Sequence, residues 1–116
     1  MKRARLYVGS CATGISVSIT ETARERRRGL LDHDHLPSGE ALLLERCGSV
    51  HTFGMGFAID VVLLDRHQRV IAIHRDVPRR RIVLSLRAVR TLEMSAGMAS
   101  ELGLSVGDSL AFEGLA

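Results

Sequence analysis

The stretch Ile59-Asp60-Val61-Val62-Leu63-Leu64-Asp65-Arg66-His67-Gln68-Arg69-Val70-Ile71-Ala72-Ile73-His74-Arg75-Asp76-Val77 decides the fold. Apart from Asp60, its first six residues are apolar on both faces, the pattern of a strand covered from both sides. Asp65 to Gln68 is a polar turn. Val70 to Val77 resumes a β-forming run, so the segment predicts an antiparallel hairpin with a central strand. Pro78 stops the second strand, because proline cannot donate to a ladder.

Working outward, Leu6 to Val8 and Ile15 to Ile19 read as strands; in the second, Ile15, Val17 and Ile19 alternate with Ser16 and Ser18. Ala41 to Leu44, Val50 to Phe53, Val89 to Met94 and Ser109 to Glu113 are further short strands. Thr22 and Glu25 have capping-box spacing at the start of a helix that ends near Gly29. Ser95 is expected to cap a second short helix over Ala96 to Leu102, with Gly103 closing it. Asp32 to Glu40 reads as a loop. Seven or eight short strands and two short helices, rarely alternating, predict a mostly β fold: a compact antiparallel sandwich or barrel. No repeat or linker divides residues 1–116, which fit one domain.

The chain has 46% hydrophobic residues but only 3% aromatic ones, so its core must be aliphatic. That scarcity argues against the stacking platforms of single-strand nucleic-acid binders. Fifteen of sixteen basic residues are arginine, but thirteen acids are interspersed, and a net charge of +3 says little about partners. The Arg79-Arg80-Arg81 run reads as a solvated loop before it reads as a phosphate contact. No apolar run of signal-peptide or membrane-spanning length is present, so a cytoplasmic location with Cys11 and Cys47 reduced is the expectation.

Four patterns then line up. They are Thr22-x-x-Glu25-Arg26-x-Arg28-Gly29-Leu30-Leu31, Leu36-Pro37-Ser38-Gly39-Glu40-Ala41-Leu42-Leu43, and Cys47-x-x-Val50-His51-Thr52-Phe53-x-Met55-x-Phe57-x-Ile59-Asp60. The last is Leu92-Glu93-Met94-x-Ala96-Gly97 with Gly103-Leu104-x-x-Gly107-Asp108. Together they resemble the bacterial domain-of-unknown-function family 192, in its short type with an H-T-F-x-M motif, across about Thr20 to Leu110. The resemblance implies a small β-rich fold and no established activity. Where that type often carries Arg and Pro after the Met, this chain has Gly56 and Ala58.

The most function-like segment runs from Cys47 to Asp60. Cys47, His51 and Asp60 form the one nucleophile, base and acid set available in a short span, and catalysis by them needs mutual hydrogen-bond reach. His51, Phe53, Met55 and Asp60 are the candidate ligand contacts. Asp60 is also expected to serve the fold by accepting amide hydrogen bonds from the Gly54 to Ala58 loop. His33 and His35 lack the further ligands that a closed metal site needs, and no cofactor-binding motif is present. The reading is a non-catalytic cytoplasmic accessory domain that binds a small molecule or a protein near Cys47–Asp60. The alternatives are a small enzyme using Cys47, His51 and Asp60, and arginine-mediated RNA binding. Neither the identity of the partner nor the oligomeric state is encoded legibly.

Overall fold

Nine strands and two short helices make up the structure, a computed structural model that describes residues 1–30, 36–52 and 55–114. In chain order they are β1 (Lys2–Val8), β2 (Cys11–Ile19), α1 (Ala23–Arg28), β3 (Glu40–Glu45), β4 (Ser49–His51) and β5 (Ile59–Leu64). Then follow β6 (Val70–Val77), β7 (Ile82–Leu84), β8 (Arg90–Ser95), α2 (Met98–Glu101) and β9 (Leu110–Gly114). Seven strands form one sheet in the order β6-β5-β8-β3-β2-β1-β9, while β4 and β7 make a separate two-stranded sheet.

The deciding hairpin is present, with β5 at the expected residues and flanked by β6 and β8. Its six side chains are all buried. The turn is held by the Asp65 carboxylate, whose Oδ1 accepts the N–H groups of His67 (2.8 Å) and Arg69 (3.0 Å). The Arg69 amide is the larger cause holding that carboxyl below the usual range.

The sheet is not wholly antiparallel. β2 and β3 run parallel, from Ser16 beside Glu40 to Ile19 beside Leu43. Parallel neighbours need a crossover, and residues 20–39, which include α1, provide it. All other described strand pairs are antiparallel.

The long sheet curls until its two end strands meet at one corner. The Val70 N–H donates to the Asp108 carbonyl and the Leu110 N–H to the Gln68 carbonyl, both at 2.9 Å. One face, carrying Leu6, Val17, Leu43, Val62, Leu64, Leu92 and Met94, lines the inside of this barrel-like curl with Met98 and Ala99 of α2. The opposite face of β3, β5 and β8 carries Leu42, Leu44, Ile59, Val61 and Leu63. It is covered by Leu30, Met55, Val83 and Ala88. Two aliphatic layers share one sheet, which is why β5 has no polar face.

Candidate functional site

The crossover that makes β2 and β3 parallel also walls a pocket. Thr22 caps α1: its Oγ1 accepts the Glu25 N–H (3.1 Å), and Glu25 Oε1 accepts the Thr22 N–H (3.2 Å). Gly29 then adopts φ 48°, a conformation disfavoured for side-chain-bearing residues, and Leu30 drops into the outer apolar layer. This geometry sets Arg26, Arg27 and Arg28 along one wall.

The opposite wall is the segment between β3 and β4. Arg46 takes φ 53°, and the Cys47 N–H donates to the Val89 carbonyl (2.9 Å). Gly48 presses on the Ala88 carbonyl oxygen, which a Cβ would overlap, so this bend requires glycine. Ser49, Val50 and His51 of β4 complete the wall. Thr52, fully buried, locks β4 to the start of β7: its Oγ1 donates to the Pro78 carbonyl (2.7 Å) and accepts the Arg81 N–H (2.8 Å).

Glu93 lines this pocket, about 510 Å³ in volume, from the β-sheet side. On β8 it stands between Leu42 of β3 and Val61 of β5, and it is 3% exposed. Among the described residues no hydrogen bond or ion pair holds its carboxyl. Burial pushes its pKa up to about 7, because the charged form is costly away from water. Four arginines, Arg26, Arg27, Arg28 and Arg46, line the same pocket, with Leu30, Leu44, Val50 and Met55 as apolar walls. Arginines and a carboxyl whose pKa burial lifts to about 7 thus line one cleft.

Three of the sequence candidates, Cys47, His51 and Met55, line this pocket. The Cys47 thiol donates to the Ser49 carbonyl (2.9 Å). Phe53, His33 and His35 lie outside the described residues. Asp60 is elsewhere. It faces the barrel interior with Val62 and Leu64, where Oδ1 accepts the Asp76 N–H (2.8 Å) and Oδ2 accepts those of Gly97 (3.1 Å) and Ala99 (2.9 Å). The sheet therefore separates Asp60 from Cys47 and His51, and no triad of the three is assembled.

Asp60 does serve the fold, through amides distant in sequence instead of those of the 54–58 loop. It supplies the cap expected of Ser95: α2 begins at Met98 after Gly97, and Ser95 Oγ donates instead to the Leu36 carbonyl (2.7 Å). Glu93 is a site residue that the sequence reading does not single out. Its signal is a single acid between Leu92 and Met94 in the expected strand Val89 to Met94. Among the described residues no group of three or more His, Cys, Asp or Glu could hold a metal ion. No helix among them is long and apolar enough to cross a membrane.

Fold and pocket together define a small, curled β domain with an arginine-lined cleft on the covered outer face of its sheet. The chain belongs to domain-of-unknown-function family 192, described as "Uncharacterized ACR", whose profile matches residues 7–112. No curated protein matches it. Two solved structures share the fold. One is a protein of unknown function from Novosphingobium aromaticivorans DSM 12444, with TM-score 0.81 and 17% identity over 94% of this chain and 83% of that one. The other, from Sinorhizobium meliloti 1021, is described as a "putative transcription regulator"; it has TM-score 0.82 and 22% identity over 96% of this chain and 92% of that one.

Proposed function

We propose that this is a non-catalytic binding domain for a small anionic molecule, held between α1 and β4. The observation that carries the reading is Glu93: a buried carboxyl, without a partner among the described residues, lining a pocket that four arginines also line. Buried polar groups are normally satisfied, and one left open toward a cleft is a place for a ligand group. The ligand's carboxylate or phosphate meets the guanidinium groups, which bind such anions in a planar, two-pronged manner. A neutral hydrogen-bonding end reaches Glu93, and the Leu30, Val50 and Met55 walls cover its carbon skeleton. Cys47 acts as wall, since its thiol proton is engaged by the Ser49 carbonyl. A cytoplasmic location, where Cys11 and Cys47 stay as thiols, belongs to the same reading.

The test is thermal unfolding with inorganic phosphate, succinate and a sugar phosphate, each at millimolar concentration. A ligand at about a hundred times its Kd stabilises by about 2.7 kcal/mol. At least one of the three should raise the midpoint of the native protein, and Arg46→Gln and Glu93→Gln should reduce the rise. No rise with any of them, or equal rises in both variants, refutes the reading.

A further inference from the structure

We propose that the free edge of β7 docks an extended acidic segment of another protein as an added strand. The surface lies apart from the arginine-lined pocket and shares no lining residue with it.

The edge is open by geometry. The Thr52 N–H donates to the Arg81 carbonyl and the Ser85 N–H to the Gly48 carbonyl, so residues 81, 83 and 85 turn their backbone groups toward β4. By the alternation of an antiparallel ladder, Ile82 and Leu84 turn theirs away. Among the described residues no strand pairs with β7 on that side. A groove of about 430 Å³ adjoins it, lined on one side by Arg81 and Ile82 and on the other by Ile73, Arg75 and Val77 of β6. Beyond the corner near Val70, β6 likewise has no described partner strand on its outer side.

The side chains are those of a contact surface. Val83 points into the core, while Ile82 is 66% exposed, Leu84 58% and, at the following turn, Leu86 98%. Natural sheets protect free edges with charge or proline at such positions, because aliphatic edges recruit other strands. Here charge instead brackets the edge, with Arg79, Arg80 and Arg81 before it and Arg87 after it. Residues 75–90 hold six arginines and a single acid, Asp76. Among the described residues, only Arg90 of the six forms an ion pair, with Glu45 at 3.0 Å.

These features choose the occupant. Aliphatic side chains between two cationic ends suit an extended peptide with alternate apolar residues and flanking carboxylates. A second copy of this chain cannot supply the flanking carboxylates, because its own edge carries the same arginines. Pairing β7 with itself about Leu84 sets Arg81 against Arg87 of the other copy, and pairing about Val83 sets Arg79 against Arg87. Like charges directly opposite are unfavourable. Nucleic acid fits less well, since no aromatic ring lies between residues 75 and 90 to stack on bases.

The experiment is fluorescence anisotropy on the full chain at low salt with three labelled probes. They are a peptide alternating Glu with Val, the same peptide with Lys for Glu, and a single-stranded oligonucleotide of similar length. The Glu peptide should bind saturably and more tightly than either other probe. Methylating its alternate backbone nitrogens should abolish binding. Ile82→Lys and Leu84→Lys, exposed changes checked for an unaltered thermal midpoint, should each weaken binding about tenfold. Tighter binding of the oligonucleotide assigns the surface to nucleic acid and overturns the proposal. So do equal binding of the Lys peptide, full binding of the methylated peptide, and no saturation with the Glu peptide.

Discussion

Replacing Glu93 by Gln should change stability in a way that depends on pH. The carboxamide keeps the size and polarity of the protonated acid but cannot ionise. Burial raises the carboxyl from an ordinary value of 4.5 to about 7 in the folded protein. Between these two values the folded chain holds a proton that the unfolded chain has released, so stability falls as pH rises. The contribution is fully present below about pH 4.5 and is lost once pH passes about 7. A gap of about 2.5 units, at 1.36 kcal/mol per unit, amounts to about 3 kcal/mol at its limit. The side chain is only 3% exposed, so solvent screening removes little of it.

Urea melts of both proteins from about pH 4 to 8.5 measure the effect. The native chain and Glu93→Gln should agree within about 0.5 kcal/mol at the acid end, and the variant should be more stable by about 3 kcal/mol at the alkaline end. Taking the difference cancels groups of the opposite sign, such as Asp65, whose lowered carboxyl loses its contribution as pH falls. A difference that stays flat across the range refutes the claim that Glu93 is held protonated by burial.

Three further outcomes follow from particular contacts. Asp60→Asn keeps one acceptor oxygen where two serve three amides, and should lower stability by about 2 kcal/mol in denaturant melts, with Asp60→Ala losing more. Gly48→Ala forces a Cβ onto the Ala88 carbonyl oxygen and should cost about 2 kcal/mol or more, while Gly103→Ala, with open space around it, should cost only the left-handed strain of about 1 kcal/mol, both read by the same melts. Cys47, half-buried with its thiol on the Ser49 carbonyl, should alkylate more slowly than exposed Cys11 at neutral pH, as mass spectrometry of Cys11→Ser and Cys47→Ser proteins would read. Faster modification of Cys47 that collapses in His51→Ala would favour the enzyme reading.

Local patterns in the sequence are enough for β5, β6 and the capping box of α1, because adjacent residues determine each of them. The parallel β2–β3 pair is not legible: strand direction depends on where a crossover carries the chain, and no local periodicity reports that. β7 is hidden for a related reason. Ile82–Leu84 is three residues long, sits among arginines, and pairs with β4, to whose end Thr52 ties the residues just before it. The site is legible in half. Cys47 and His51 line one pocket because a short bend joins them, whereas Asp60 and Glu93 are both lone acids of buried strands that face opposite sides of one sheet. Asp60 finds three amides and becomes a tie within the fold; Glu93 finds none and borders the pocket. Sequence spacing alone does not distinguish these fates, since the amides that satisfy Asp60 come from β6 and the start of α2.

The central claim is that the cleft between α1 and β4 takes up a small anion, and amide chemical-shift mapping tests it most directly. The stabilising anion from the thermal screen is titrated into isotope-labelled protein. The account predicts saturable shifts clustered at Arg27, Gly29, Cys47, Val50 and Glu93, weakened in Glu93→Gln. Shifts confined to Arg79–Arg81 and Arg87, or none at the cleft at saturating anion, would contradict it.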